Sequence, residues 1–405
     1  MSCFTVCCRQ KISSPKKRTT DINEEIFSSV EDAKLYSYRE LQIATQSFNV
    51  SNKIGEGGFG SVYKGRLKDG SLVAIKVLSA QSEQGVKEFL NEIISISGVE
   101  HENLVKLYGC CTEGGHRILV YGYLENNSLA RTLLGGRVSR VQFTWKIRSQ
   151  ICIGVAQGLA FLHEEVRPHI IHRDIKASNV LLDKISRQRF QISVWRSFSR
   201  PTRLTSARVL LGHSKLVNSY PIFISLTLEL DVLFGYLAPE YAIRGKLTRK
   251  ADVYSFGVLL MEIVSGRSLR DKRLPAGAQN LLEMAWTLYE KGLLSELVDS
   301  SVEGDANIDE ACKYLKIGFL CTQVMPKTRP AMSEVAKMLK GEIDVDDENI
   351  TKPALVTQLL GLTSSSYEPH GSSSGWGTQD ESPPLQVTNV SHGTMTFSSI
   401  YDGSN

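Results

Sequence analysis

His172-Arg173-Asp174-Ile175-Lys176-Ala177-Ser178-Asn179 is the stretch whose reading decides the fold. It offers a carboxylate, then an ammonium group, then a carboxamide, separated by apolar and small residues. Phosphoryl transfer calls for that set: a carboxylate beside the attacking hydroxyl, a cation on the phosphoryl in flight, and an amide oxygen on Mg²⁺. Asp174, Lys176 and Asn179 supply these in order. Any one of them alone would read as a solvated polar side chain. The octet carries weight because two further motifs precede it at workable distances.

The first is Gly55-Glu56-Gly57-Gly58-Phe59-Gly60-Ser61-Val62, a G-x-G-x-x-G-x-V pattern with strand-like sequence on both sides. Glycines let a tight hairpin press its backbone N–H groups onto phosphate oxygens. A dinucleotide-binding reading needs a helix directly after the glycines, but Val62-Tyr63-Lys64-Gly65 continues as strand. The second is Val73-Ala74-Ile75-Lys76, an apolar strand with a lysine where burial is costly unless the charge is paired. Glu92, in the helical pattern from Val86 to Ile96, is the expected partner, and such a pair would hold the α- and β-phosphates.

Three anchors lie downstream. Ala238-Pro239-Glu240 marks the end of an activation segment. Asp252, in Asp252-Val253-Tyr254-Ser255-Phe256-Gly257, opens a buried helix and is suited to fix the backbone around His172. Arg329, in Lys327-Thr328-Arg329-Pro330, is suited to pair with Glu240. Strand signals occupy Ile54–Val77 and Leu104–Tyr123, and the periodicity turns helical from Ser128. A strand-rich start and a helical remainder read as an α+β fold in two lobes.

Together these residues resemble the protein kinase superfamily over about Ile54 to Leu339. His101-Glu102-Asn103-Leu104-Val105, Leu119-Val120-Tyr121 and Gly235-Tyr236-Leu237-Ala238-Pro239-Glu240-Tyr241 are similar to plant receptor-like cytoplasmic serine/threonine kinases related to Pelle and the interleukin-receptor-associated kinases. The likeness is strongest to the cold-responsive kinases of plants. The resemblance implies a bilobal kinase fold, with a small N-lobe and a larger helical C-lobe, transferring the ATP γ-phosphate to protein Ser or Thr. It implies an ATP site made from Ile54, Gly55, Glu56, Gly57, Gly58, Phe59, Gly60, Val62, Ala74, Lys76 and Glu92. Tyr121 stands at the gatekeeper position, Gly122 to Leu124 (with Tyr123) at the hinge, and Leu181 at the adenine floor. An upstream receptor kinase is an implied partner.

The family pattern then breaks. A strand ending in Asp-Phe-Gly is due soon after Leu181-Leu182-Asp183, yet no Asp-Phe-Gly occurs between Asp183 and Ala238. Joining the third base of each codon from Ile185 to Arg200 with the first two of the next permits Leu-Thr-Pro-Lys-Ile-Ser-Asp-Phe-Gly-Leu-Ala-Lys-Leu-Phe-Pro. The same frame from Arg203 to His213 permits Thr-His-Val-Ser-Thr-Arg-Val-Ala-Gly-Thr. Each junction admits few amino acids, so runs this family-like are hard to obtain by accident. Ser214-Lys215-Leu216 is encodable with the splice-donor-like GTAAGT. Residues 185–213 therefore read as a frameshifted activation segment and 214–234 as retained intron, the family frame resuming at Gly235. Two functions follow from the break: an impaired Ser/Thr kinase, or a catalytically dead pseudokinase serving as an ATP-binding or scaffold module.

A chain of 405 residues with 42% hydrophobic content can bury a full core, and a net charge of +4 with no basic stripe argues against a nucleic-acid partner. The eight cysteines form no regular framework, which fits a reducing cytoplasm. No signal peptide is visible, and Glu229 and Asp231 spoil the most apolar late stretch as a membrane span. Residues 1–35 are polar, with Lys16, Lys17 and Arg18. They read either as a disordered arm or, through palmitoylation of Cys3, Cys7 and Cys8 beside that basic cluster, as a peripheral tether to the inner face of the plasma membrane. A lead-in helix is expected over Ser37 to Gln46 within residues 36–53, the kinase domain over 54–340 and a disordered Ser/Gly-rich tail over 341–405.

Overall fold

Leu72-Val73-Ala74-Ile75-Lys76-Val77-Leu78 alternates its side chains across a sheet, and that alternation separates a sealed face from a working one. A computed structural model describes residues 34–57, 60–78, 89, 93, 99–135, 141–183, 190–192, 235–269, 280–302, 307–353 and 355. Strands β1 (Lys34–Leu35), β2 (Lys53–Gly57), β3 (Gly60–Arg66), β4 (Leu72–Leu78), β5 (Leu107–Cys111) and β6 (Ile118–Gly122) form one sheet in the order β1-β5-β6-β4-β3-β2. β1 runs parallel to β5 and the other pairs are antiparallel. Val73 and Ile75 pack with Tyr36, Leu41, Ile118 and Val120 on the outer face. Leu78 packs with Phe89, Ile93, Val105, Leu119 and Tyr121 on the other. By parity Lys76 belongs to that second face, and it is 2% exposed.

Helix α1 (Tyr38–Ala44) seals the outer face. Ser37 caps it by accepting the Glu40 N–H at 3.2 Å, and Leu41 is its buried residue. The helix occupies Tyr38–Ala44 of the expected Ser37–Gln46 stretch and ends at Thr45. The polar arm expected over 1–35 ends earlier than its composition suggests, because Lys34 and Leu35 pair with Gly109 and Cys110. A Cβ on Gly109 would stand 1.9 Å from the Lys34 carbonyl oxygen, so glycine is what admits the strand. Tyr36, buried just beyond it, anchors the segment.

The second lobe contains α2 (Leu129–Thr132), α3 (Trp145–Ala160), α4 (Pro239–Arg244), α5 (Arg249–Ser265), α6 (Leu281–Glu290), α7 (Ile308–Cys321) and α8 (Met332–Lys340). From Ala251 to Ser265 every residue of α5 except Ser255 is buried, which makes it the axis of the lobe. α5 ends at Gly266, in left-handed conformation at φ 64°. Buried Arg148 of α3 ties that end down, donating to the Ile263 carbonyl at 2.8 Å and pairing with Asp299. A hairpin of β7 (Val180–Leu182) and β8 (Phe190–Ile192) completes the described strands. The fold is bilobal and kinase-like, strand-rich first and helical after, as the sequence implies.

The packed structure runs further than the tail boundary at 341. Lys316 pairs with Asp347, the Gln323 side chain donates to the Asn349 carbonyl, and Leu355 is 6% exposed within the helical core. Burying that leucine is worth about 2 kcal/mol, enough to hold a short polar stretch against the lobe. Phe89 and Ile93 are helical, as the Val86–Ile96 pattern requires. Gly58, Phe59, Glu92 and nearly all of 184–234 lie outside the described residues.

Candidate active site

The loop of His172 to Lys176 has no regular hydrogen-bonding pattern of its own, so side chains must hold it. Asp252, at the first turn of α5, accepts the His172 N–H at 2.7 Å on one carboxylate oxygen and the Arg173 N–H at 2.8 Å on the other. His163 Nε2 lies 2.8 Å from the same carboxylate. Burial pushes the Asp252 acid up, but the His163 contact and the Arg173 N–H outweigh it and leave the carboxyl below its ordinary value. Arg173 adopts φ 75°, rare outside glycine. Such strain costs about 1–3 kcal/mol, and it persists where surrounding bonds over-determine the loop.

Asp174 is fixed at both oxygens. Lys176 Nζ is 3.0 Å from Oδ1, and Asn179 Nδ2 donates to Oδ2 at 2.9 Å and to the Asp174 carbonyl at 2.7 Å. The three residues picked out from the octet therefore meet. Because the Asn179 amide nitrogen is turned to Asp174, its carbonyl oxygen is directed elsewhere.

A pocket between the lobes collects Ile54, Ala74, Tyr121, Tyr123, Leu124 and Leu181 from the expected adenine site. Lys64 Nζ sits 4.7 Å over the Tyr123 ring, which stitches β3 to the hinge. Of the hairpin residues, Gly55 is buried, Gly57 pairs with Gly60, and Glu56 is exposed and forms an ion pair with Lys53 at 2.8 Å. Val62, fully buried, stands opposite Lys76 in the β3–β4 register.

Gly122 belongs to the same lining; the sequence marked Val105 only as part of the His101–Val105 run and did not mark Glu125 or Asn127, and these complete it. The missed signal is the Asn126-Asn127-Ser128 run. Asn126 N–H donates to the Leu182 carbonyl at 3.0 Å, Leu182 N–H donates to the Asn127 carbonyl at 3.0 Å, and Ser128 bridges to Leu181. Asn127 turns the chain at φ 65°, a conformation asparagine tolerates. Glu240 meets Arg329 through two bonds of 2.8 and 2.9 Å, and the guanidinium rests 5.2 Å from the Tyr254 ring centroid. That bidentate pair ties α4 to the loop before α8.

A family model described as protein tyrosine and serine/threonine kinase matches residues 48–339. Cold-responsive protein kinase 1 of Arabidopsis thaliana is 56% identical over 353 residues, covering 87% of this chain and 85% of that protein. Two probable LRR receptor-like serine/threonine-protein kinases of the same plant are 46% and 47% identical over 346 and 320 residues. The chain spans about a third of their length, 31% and 32%.

Proposed function

The chain belongs to the protein tyrosine and serine/threonine kinase family, and we propose that it is a Ser/Thr protein kinase that binds Mg²⁺–ATP between its lobes, with turnover attenuated in this chain. The observation that carries this reading is convergence. Ile54 adjoins the glycine hairpin, Ala74 lies two residues from Lys76, Leu181 lies two residues from Asn179, and all three line one pocket. The pocket's apolar slot suits a purine, and the adjacent face carries a buried lysine suited to phosphate. Asp174 would take the proton of the attacking Ser or Thr hydroxyl, and Lys176 would offset charge on the phosphoryl oxygens.

The residues fit ATP well and Mg²⁺ thinly. Asn179 offers one amide oxygen, and no group of three or more His, Cys, Asp and Glu side chains suited to a metal occurs among the described residues. Mg²⁺ is commonly held by one or two carboxylates together with the substrate's phosphates. The Asp of an Asp-Phe-Gly would be such a carboxylate, and the sequence from Asp183 to Ala238 lacks it. A thousandfold loss of rate takes only about 4 kcal/mol of transition-state stabilisation. That absence favours a second reading, a pseudokinase that binds nucleotide or scaffolds partners. The alternative-frame peptide from Ile185 supplies the missing motif, and we attribute the break to a frameshift followed by retained intron. Sequencing the transcript across the codons for Asp183 to Ala238 tests this.

By likeness to the relatives, substrates are proteins with Ser or Thr, and a receptor kinase acts upstream. Among the described residues no helix is long and apolar enough to cross a membrane. The Cys3, Cys7 and Cys8 tether to the cytoplasmic face lies outside the described residues and remains part of the proposal. Incubation with Mg²⁺–ATP and a generic basic protein separates the two readings. Turnover that Asp174→Ala abolishes establishes the kinase, and nucleotide binding without turnover establishes the pseudokinase.

A further inference from the structure

Residues directly opposite one another in an antiparallel pair share one face of the sheet. Lys64 on β3 stands opposite Ala74 on β4, and Ala74 stands opposite Tyr121 on β6. Val62, Lys76 and Leu119 form the neighbouring row on the same face. Ala74 and Tyr121 line the pocket between the lobes. The working face therefore presents two lysines, one row apart. Lys76 is buried in the row nearer the glycine hairpin, and Lys64 is half-buried in the row nearer the hinge. A lysine so placed ordinarily sends its ammonium group into water. Lys64 instead holds Nζ 4.7 Å from the centroid of the Tyr123 ring. Tyr123 lines the same pocket and is the first residue past β6, whose ladder with β4 ends at the Val73–Gly122 pair. Among the described residues the next backbone hydrogen bond onward runs from the Asn126 N–H to the Leu182 carbonyl of β7, at 3.0 Å. Between those two anchors the Lys64 contact ties the hinge to β3.

We propose that Lys64 is a positioning residue for the nucleotide: its ammonium group, held over the Tyr123 ring, fixes the hinge beside the adenine slot. The contact joins two elements that bound the same space. β3 is one strand of the glycine hairpin, and β2, which carries Ile54 into the pocket, pairs with β3 alone. The clasp therefore sets the spacing between Ile54 on one side and Tyr123 on the other. A guanidinium group can take the place of the ammonium, because it too rests on an aromatic face. A methionine fills the same length but carries no charge for the ring to attract. The role in binding rests on the nucleotide reading of the pocket; the clasp itself does not.

The test combines calorimetric titration of the full chain with ATP and amide hydrogen exchange without it. Lys64→Met should weaken ATP binding about fivefold, the scale of one such contact. Lys64→Arg should restore it. Tyr123→Leu should weaken binding at least as much, and adding Lys64→Met to it should cost nothing further. An unchanged Kd in Lys64→Met, or losses that multiply in the double variant, overturns the proposal. Without nucleotide, Lys64→Met should speed exchange at the Gly122 and Asn126 amides about fivefold, and Lys64→Arg should not. Exchange there that is the same in Lys64→Met as in the parent shows that no clasp exists. If the chain turns over, KM for ATP should rise about fivefold in Lys64→Met at constant kcat, and a fall in kcat at constant KM rejects the role. A parent chain that binds no ATP rejects the nucleotide reading, and the exchange result still decides whether Lys64 holds the hinge.

Discussion

Asp252 is 1% exposed and stays ionised because its surroundings supply donors: the backbone N–H groups of His172 and Arg173 and the His163 ring. Removing it leaves those donors buried without an acceptor, so Asp252→Ala should cost about 3–5 kcal/mol by denaturant unfolding. A loss below about 1 kcal/mol would show that the loop holds itself. The pH dependence has a definite sign. The folded-state value lies below the ordinary 3.8, so the stability this group contributes is present above the unfolded value. It is lost as pH falls through the folded value. Asp252→Asn should therefore flatten the acid limb of the stability curve below about pH 4. Asp252, Glu240 and Arg329 were legible as a set because each sits in a short motif. The positive φ of Arg173 was not legible, since nothing in an arginine announces strain.

At the scale of the element, β4 and β1 mark the two limits of what the chain displays. The alternation of Leu72 to Leu78 is enough to assign Val73 and Ile75 to one face and Lys76 to the other. β1 has no such pattern: it is two exposed residues, and one is a lysine. Its determinant is Gly109 on β5, far along the chain, whose missing side chain leaves space for the Lys34 carbonyl. Gly109→Ala should lift β1 from the sheet and cost about 1–3 kcal/mol, the range for forcing extra atoms into a packed site. A thermal melt reads this as a drop in Tm together with faster amide exchange at Lys34 to Tyr36. An unchanged melt and unchanged exchange would mean that Tyr36, not the strand, holds the lead-in segment. β8 is a third kind of case. It pairs Phe190 to Ile192 with β7, and these are residues for which synonymous codons permit the alternative reading Ser-Asp.

The whole molecule brings its chemistry together by joining two lobes through a short run, Tyr123 to Ser128, laid against β7. Local motifs marked Asp174, Lys176 and Asn179, which the fold brings together, and the Tyr121–Leu124 run, whereas Glu125 and Asn127 line the same pocket without a motif of their own. The pocket is lined wholly by residues outside the stretch from Lys184 to Phe234. Nucleotide affinity and metal dependence should therefore separate. ATP at a hundred times its Kd should stabilise this chain by about 2.7 kcal/mol, and Lys76→Met should remove most of that gain. Chelating Mg²⁺ with EDTA should change the gain little, because Asn179 is a weak metal partner by itself. In a chain rebuilt with the alternative-frame segment in place of residues 185–234, the restored Asp should make the same gain strongly dependent on Mg²⁺. Thermal unfolding of both chains with ATP, with and without EDTA, reads the difference. Equal metal dependence in the two would show that this chain finds its second ligand elsewhere, and would remove the reason for expecting attenuated turnover.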